Sequence, residues 1–373
     1  MFVHQTKLEP LLKPADYFSR EAFVNERELL FPRHWQIVGF ARQVANEGEY
    51  LACDVGGIPV IVHNAGGSIV GFRNACAHRN AMLRPNGSGK QTRLTCQYHG
   101  WQYDGAGKVC KVPDGQSFKG IKAEDFCLTR VSTEVCGPFL LASLNPKASS
   151  FRDHLGAFSD EFDAYFGHHR LFGTWQTEHA VNWKVIIENA VESYHVPLVH
   201  PTTFRQYKPP ELHDHTLAST YSRYADLQPW DNSIVSNGFR VLAKSLLKNP
   251  NLERFKHTHI YPNHLLYYGD LLSTWTTVEA IDTARSRYTL FAFVPRDVKK
   301  GIVGQLLQSL SSTILLKQFK RILREDMDLW PKIQSGLSGS LNSGVLSCRE
   351  ERIWAFQKYL TEFRQDDAIG QPS

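Results

Sequence analysis

The apolar positions show three textures along the chain. Between residues 14 and 34 they recur at helical spacing, with Phe18, Phe23, Leu29 and Leu30 on one side and Pro32 as the stop, which predicts a single amphipathic helix. From about Trp35 to Leu144 the period falls to two. The runs 49–55, 58–63 and 68–72 alternate between Gly and Asn turns, the pattern of a small antiparallel β domain. Past residue 150 the texture is mixed. A short helix is predicted from about Trp183 to Val196, where good helix formers run without an internal Gly until Pro197 interrupts the hydrogen-bond ladder. Residues 205–257 hold Tyr207, Tyr221, Tyr224, Trp230 and Phe239 with no clean period and read as loops and short helices. The runs 264–268, 273–278 and 288–293 read as strands of an antiparallel sheet, and final helices are predicted over roughly 301–330 and 345–364. The result is an α+β chain: a helical arm over 1–34 packing on the larger domain, a small all-β domain over 35–150, and a larger domain over 151–373 whose sheet is flanked by helices.

Composition narrows the function classes. At 373 residues the chain can bury two cores, and 42% apolar with 21% charged residues is the balance of a globular enzyme. The net charge of +5 is scattered, with no basic face interleaved with aromatics, so no nucleic-acid partner is expected. The first thirty residues lack an apolar stretch of signal-peptide length, and the longest apolar run, about Pro138 to Leu144, is too short to span a bilayer. A cytoplasmic protein with no membrane association is expected. The seven cysteines, at 53, 76, 96, 110, 127, 136 and 348, are an odd number, which favours metal or core roles over a disulfide framework.

The strongest chemical signal is Cys76-Ala77-His78 followed by Cys96-Gln97-Tyr98-His99, each at the tip of a predicted hairpin. Four such ligands could hold structural zinc, but zinc fingers separate their cysteine pair from their histidine pair. Here each loop offers one thiolate and one imidazole. That suits a two-iron cluster with both thiolates on one iron and both imidazoles on the other, the arrangement of a Rieske [2Fe-2S] centre. Gly100 and Trp101 then fit a tight turn and an aromatic floor, with Trp101 and Tyr103 read as packing. Gly87-Ser88-Gly89-Lys90 is no phosphate loop: Arg84 stands where the motif needs its first Gly, and Gln91 where it needs Ser or Thr. It reads as a turn between the two ligand loops. No Gly-x-Gly-x-x-Gly opens a βαβ unit, so electrons must come from a separate reductase or ferredoxin.

A second constellation surrounds the 183–196 helix. Glu192 and His195 lie three apart on one face, and His200 follows just past Pro197. Two neutral imidazoles with one carboxylate from elsewhere form the facial triad of non-haem Fe(II) sites, with positions left open for dioxygen and substrate.

These motifs resemble the large (α) subunit of Rieske non-haem iron oxygenases of the aromatic-ring-hydroxylating type, over nearly the whole chain. The resemblance implies a Rieske domain with Cys76, His78, Cys96 and His99 on a [2Fe-2S] cluster, and a helix-grip-like catalytic domain with His195 and His200 on a mononuclear Fe(II). The third iron ligand in the family is a downstream Asp. Asp326 matches best, in Glu325-Asp326 followed by Gln334-Ser335-Gly336-Leu337, with Glu325 and Asp328 as rivals. The resemblance also implies a homotrimer in which the cluster of one subunit faces the iron site of the next, bridged by Glu192 between His99 and His195, with Asn189 near the iron. Most aromatic-ring members carry Asp where this chain has Glu192, and Glu is found in some quaternary-amine oxygenases. The implied activity is hydroxylation, single or double, of a small organic and by preference aromatic substrate with dioxygen. A quaternary-ammonium monooxygenase or N-demethylase is one alternative. A Rieske electron carrier without oxygenase activity is the other, and it would have no need of His195, His200 and Asp326. Tyr207, Tyr221, Tyr224, Trp230 and Trp275 could line an aromatic pocket, offer cation-π faces to a trimethylammonium group, or serve as core.

Overall fold

The structure is a computed structural model describing residues 2–4, 6–120, 122, 125–203, 212–226, 234–248, 250 and 255–370. Tyr207 and Trp230 lie outside the described residues. The chain divides into two compact units, Asn25–Ser159 and Met1–Val24 with Asp160–Ser373.

The Asn25–Ser159 unit is built on ten strands: β1 Gln36–Phe40, β2 Glu49–Val55, β3 Ile58–Ala65, β4 Ser68–Arg73, β5 Gly87–Lys90, β6 Leu94–Thr95, β7 Gln102–Tyr103, β8 Val109–Lys111, β9 Arg130–Cys136 and β10 Phe139–Ser143. Seven form one antiparallel sheet in the order β1-β10-β9-β4-β3-β2-β5, and β6-β7-β8 form a second. The expected strands form, but not with alternate residues facing water: β2 pairs with β3 so that Leu51 meets Val62, and Val60, Ile61 and Val62 are buried in succession. Each such side chain contributes roughly 1.5–3 kcal/mol by leaving water. Residues 87–90 are not a turn but an edge strand on β2, where Gly89 lies so close to Tyr50 that a Cβ would overlap its ring.

The segment 14–34 is not one helix. A 3-10 turn at Pro14–Tyr17 stops, and Ser19 Oγ accepts the Ala22 N–H to start a new helix at Arg20–Asn25, which passes through a π turn at Glu26–Leu30 before Phe31–Arg33. A serine hydroxyl that satisfies free N–H groups starts a helix as readily as it decorates one.

The other unit holds one antiparallel sheet, β11-β17-β16-β15-β14-β13-β12, from β11 His169–His179, β12 His213–Leu217, β13 Tyr221–Asp226, β14 Lys256–Ile260, β15 His264–Tyr268, β16 Ser273–Asp282 and β17 Arg285–Pro295. β12 and β13 replace part of the predicted loop region. Their buried positions carry His213, His215, Ser222 and Asp226 instead of aliphatic residues, so no hydrophobic alternation marks them. Helices Trp183–Val191, Gly301–Met327, Trp330–Ser338 and Glu351–Gly370 accompany the sheet. The predicted 301–330 helix ends at Met327, and a new one starts where Pro331 sits in its first turn. Among the described residues no helix is long and apolar enough to cross a membrane.

Candidate metal centres

The Cys76 and Cys96 loops have the same build. In each, the cysteine N–H bonds to the carbonyl five residues on (Ala81, 2.8 Å; Trp101, 2.8 Å), and its carbonyl accepts the N–H four residues on (Asn80, 2.8 Å; Gly100, 3.0 Å). The fourth residue must take a left-handed turn, and Asn80 (φ 55°) and Gly100 (φ 76°), two of the residue types that tolerate it, stand there. These turns bury Cys76 and Cys96 and bring the His78 and His99 rings to 4.7 Å. Trp101 stacks on His78 at 4.9 Å, the expected aromatic floor. Burial pushes the Cys76 thiol up, so its thiolate needs a cation beside it, and a two-iron cluster supplies one. Tyr103 does more than pack. Its hydroxyl accepts the Ala77 N–H at 2.9 Å and lies 3.0 Å from Cys76 Sγ, placed to donate to the sulfur. The β7 register gives this position no mark in the sequence.

In the larger unit, Asn182 caps the Trp183–Val191 helix by accepting from Lys184 N at 3.0 Å. The helix stops at Val191, five residues earlier than predicted. Arg352, distant in sequence, donates to the Val191 carbonyl at 3.1 Å, while Glu192 turns extended and its Oε2 accepts the Tyr194 and His195 N–H groups. Glu192 and His195 therefore meet across a break, not along a helical face. Glu192 Oε1 takes the His195 Nδ1 hydrogen in a short contact, and Glu325 Oε2 takes that of His200 at 2.7 Å. In both rings the opposite nitrogen, Nε2, turns toward Asp326. His195 Nε2 lies 3.4 Å and His200 Nε2 3.1 Å from Asp326 Oδ1, and one ligand atom from each of the three residues falls within 4.8 Å of the others. Asp326 Oδ1 is buried and accepts no hydrogen bond among the described residues, as expected of an atom that faces a metal. Thr203 also donates to Glu325, which thus acts behind His200, and Asp328 is exposed beyond the helix end.

Burial opposes charge on His195, but the neighbouring Asp326 and Glu192 carboxylates outweigh it and push its pKa up to about 9. His200 is raised by the same balance of burial against Asp326 and Glu325. Asp326 itself is held down: burial works against its charge, and the two imidazoles overcome it.

Other expected residues fall as follows. Asn189 is buried, with its Oδ1 accepting from Trp330 Nε1 at 2.7 Å, a partner the sequence does not reveal. Tyr194 is exposed. Trp275 is fully buried and donates to His264 Nδ1 at 3.2 Å; Tyr221 is buried, and Tyr224 packs edge-on against His213.

A cysteine–histidine pair on each of two closed turns, with a second site of two imidazoles and a carboxylate, is the equipment of an iron–sulfur oxygenase. Residues 166–365 match the ring hydroxylating alpha subunit (catalytic domain) family, and residues 34–123 match the Rieske [2Fe-2S] domain. The chain belongs to the family of Rieske-type ring-hydroxylating oxygenase alpha subunits. It is 27% identical to the 2-halobenzoate 1,2-dioxygenase large subunit of Burkholderia cepacia over 87% of this chain and 77% of that one. It is 29% identical to the chloroplastic choline monooxygenase of Beta vulgaris over 52% of this chain, spanning 45% of that relative's length. It shares its fold with a quaternary ammonium Rieske monooxygenase solved with L-carnitine (TM-score 0.73, 18% identity, 96% of this chain and 95% of that one). The chain is accordingly an oxidoreductase of the Rieske non-haem iron mono- or dioxygenase class. Its cofactors are a [2Fe-2S] cluster and a mononuclear iron, its co-substrate is dioxygen, and it takes small organic substrates and electrons from a partner reductase.

Proposed function

We propose that Cys76, His78, Cys96 and His99 hold the cluster, that His195, His200 and Asp326 hold the iron, and that the enzyme hydroxylates an aromatic substrate. The observation that carries the iron assignment is the convergence of two carboxylate-oriented Nε2 atoms on the unbonded Asp326 Oδ1. When bound, the cluster supplies one electron at a time and the iron offers open positions for dioxygen beside the substrate. The chain's own residues do the rest. Glu192 and Glu325 fix each imidazole's tautomer through Nδ1. Asn189, held by Trp330, keeps its place in the last turn of the helix, three residues before Glu192.

Glu192 also serves as the bridge for electrons. In a head-to-tail homotrimer, exposed His99 of one copy donates to Glu192 of the next, and Glu192 accepts from His195. The aromatic reading is favoured by the halobenzoate relative, which aligns over most of this chain. A quaternary-ammonium substrate is the second reading, favoured by Glu192 where aromatic-ring members carry Asp and by the likeness to choline monooxygenase. Seven cysteines with no disulfide among the described residues accord with a reducing compartment, and we place the protein in the cytoplasm.

The test is a single turnover. Iron-loaded, dithionite-reduced protein is exposed to air with benzoates, arenes and trimethylammonium compounds in turn, and products are read by mass. One added oxygen or two hydroxyls on an aromatic compound supports the reading. Formaldehyde or trimethylamine release from an ammonium compound alone selects the second, and cluster reoxidation with no product in any arm favours an electron carrier.

A further inference from the structure

The first half of the long Gly301–Met327 helix is mounted inside out. Its small and polar side faces the protein: Gly304, Gln308, Ser311 and Ser312 are buried, Gln308 Nε2 donates to the Pro295 carbonyl at 2.8 Å, and Ser312 Oγ donates to the Leu271 carbonyl at 2.8 Å. Ile302, Val303, Leu306, Leu307, Leu310 and Ile314 look outward, exposed by 40% at Leu307 and up to 76% at Ile302. The polar anchors fix the helix's rotation, so the aliphatic side cannot turn inward. A contiguous exposed apolar stripe of this kind marks a contact surface.

We propose that this stripe is a contact between two copies of the chain, the helix lying antiparallel on its own counterpart about a two-fold axis. Its exposed surface is on the order of the ~800 Å² each partner brings to a standard interface. Its spacing is also self-complementary. An axis midway between Leu306 and Leu310 sets Leu306 against Leu310 and Ile302 against Ile314, as a contact using the same patch twice requires. Residues 301–316 carry no charge, so nothing charged is buried. The stripe ends twelve residues before Asp326, about 18 Å along the helix, and the pairing does not rest on the link proposed at Glu192.

The rim determines how salt acts. No Asp or Glu occurs from 298 to 324; Lys299 and Lys300 flank one end of the stripe and Lys317 the other, so an antiparallel pair brings these cations near one another. These like charges repel across the pair, so salt screens them and tightens pairing. An acidic protein or an anionic lipid surface would be drawn to the same cations and loosened by salt.

The full, cluster-loaded chain is sedimented at about 0.05 M and about 0.5 M NaCl, as wild type and as L306D/L310D. The wild-type particle is expected to have twice the mass of the variant at high salt, with the cluster's visible spectrum unchanged by the substitutions. A second arm needs no disruption of the stripe: the I302C/I314C double variant should cross-link between chains under air oxidation, while I302C and I314C alone should not. Equal masses at both salts, or no cross-link beyond that of the single variants, overturns the proposal. So does binding to phosphatidylglycerol vesicles, or capture of an acidic protein, that L306D/L310D abolishes while the wild-type mass is unaffected.

Discussion

Glu325 Oε2 accepts the Nδ1 hydrogen of His200 at 2.7 Å, and the next residue on the same helix, Asp326, turns Oδ1 to the opposite nitrogen of that ring at 3.1 Å. Consecutive carboxylates thus face both nitrogens of one imidazole, one orienting it and the other placed to share a metal with it. Removing the orienter should weaken metal binding without touching the cluster. Glu325→Ala is expected to lower iron affinity by about 10–100-fold, read by anaerobic Fe(II) titration, with the visible spectrum unchanged. Undiminished affinity would show that Glu325 does not hold the ring.

The cluster's potential should answer to Tyr103. Its hydroxyl lies 3.0 Å from Cys76 Sγ, and a hydrogen bond to sulfur stabilises the more negative, reduced state. Tyr103→Phe should therefore lower the midpoint potential, on the order of 50 mV if the bond is worth about 1 kcal/mol. Spectroelectrochemical titration measures it, and a rise or no change would contradict the assignment.

Iron uptake should depend on pH. Without metal, burial disfavours charge on His195 but Asp326 and Glu192 prevail and hold its pKa up to about 9, while His200 is raised in the same way. His195 then carries at neutral pH a second proton that iron must displace, and His200 is drawn in the same direction. Affinity should rise as pH climbs toward about 9, and calorimetry in buffers of different ionisation enthalpy should show protons released at pH 7. Uptake without proton release would rule out the carboxylate-held protons.

Asn182 is a structural prediction. Its side chain caps the Trp183–Val191 helix and donates to the Tyr17 carbonyl at 3.1 Å and the Thr283 carbonyl at 2.8 Å. Asn182→Ala leaves these groups unpaired and should cost roughly 2–3 kcal/mol in denaturant unfolding.

The residues that come together at each centre were readable because the chemistry sits in short segments: 76–78, 96–99 and 195–200. Asp326 could be named but not separated from Glu325 and Asp328, because helical position alone does not say which carboxylate faces inward. What escaped was set by partners distant in sequence. The stop at Val191 depends on Arg352, the role of Tyr103 on which sulfur its strand passes, and the strands β12 and β13 on buried histidines that interrupt the usual alternation.

The proposed route carries electrons to the iron site through Glu192. Stopped-flow reoxidation of the reduced cluster, with iron, dioxygen and a turned-over substrate present, tests it most directly in Glu192→Gln against wild type. The variant is expected to keep both metals yet reoxidise its cluster at least about 100-fold more slowly, a barrier increase of about 2.7 kcal/mol. Reoxidation at the wild-type rate, with iron content and substrate binding intact, would contradict it.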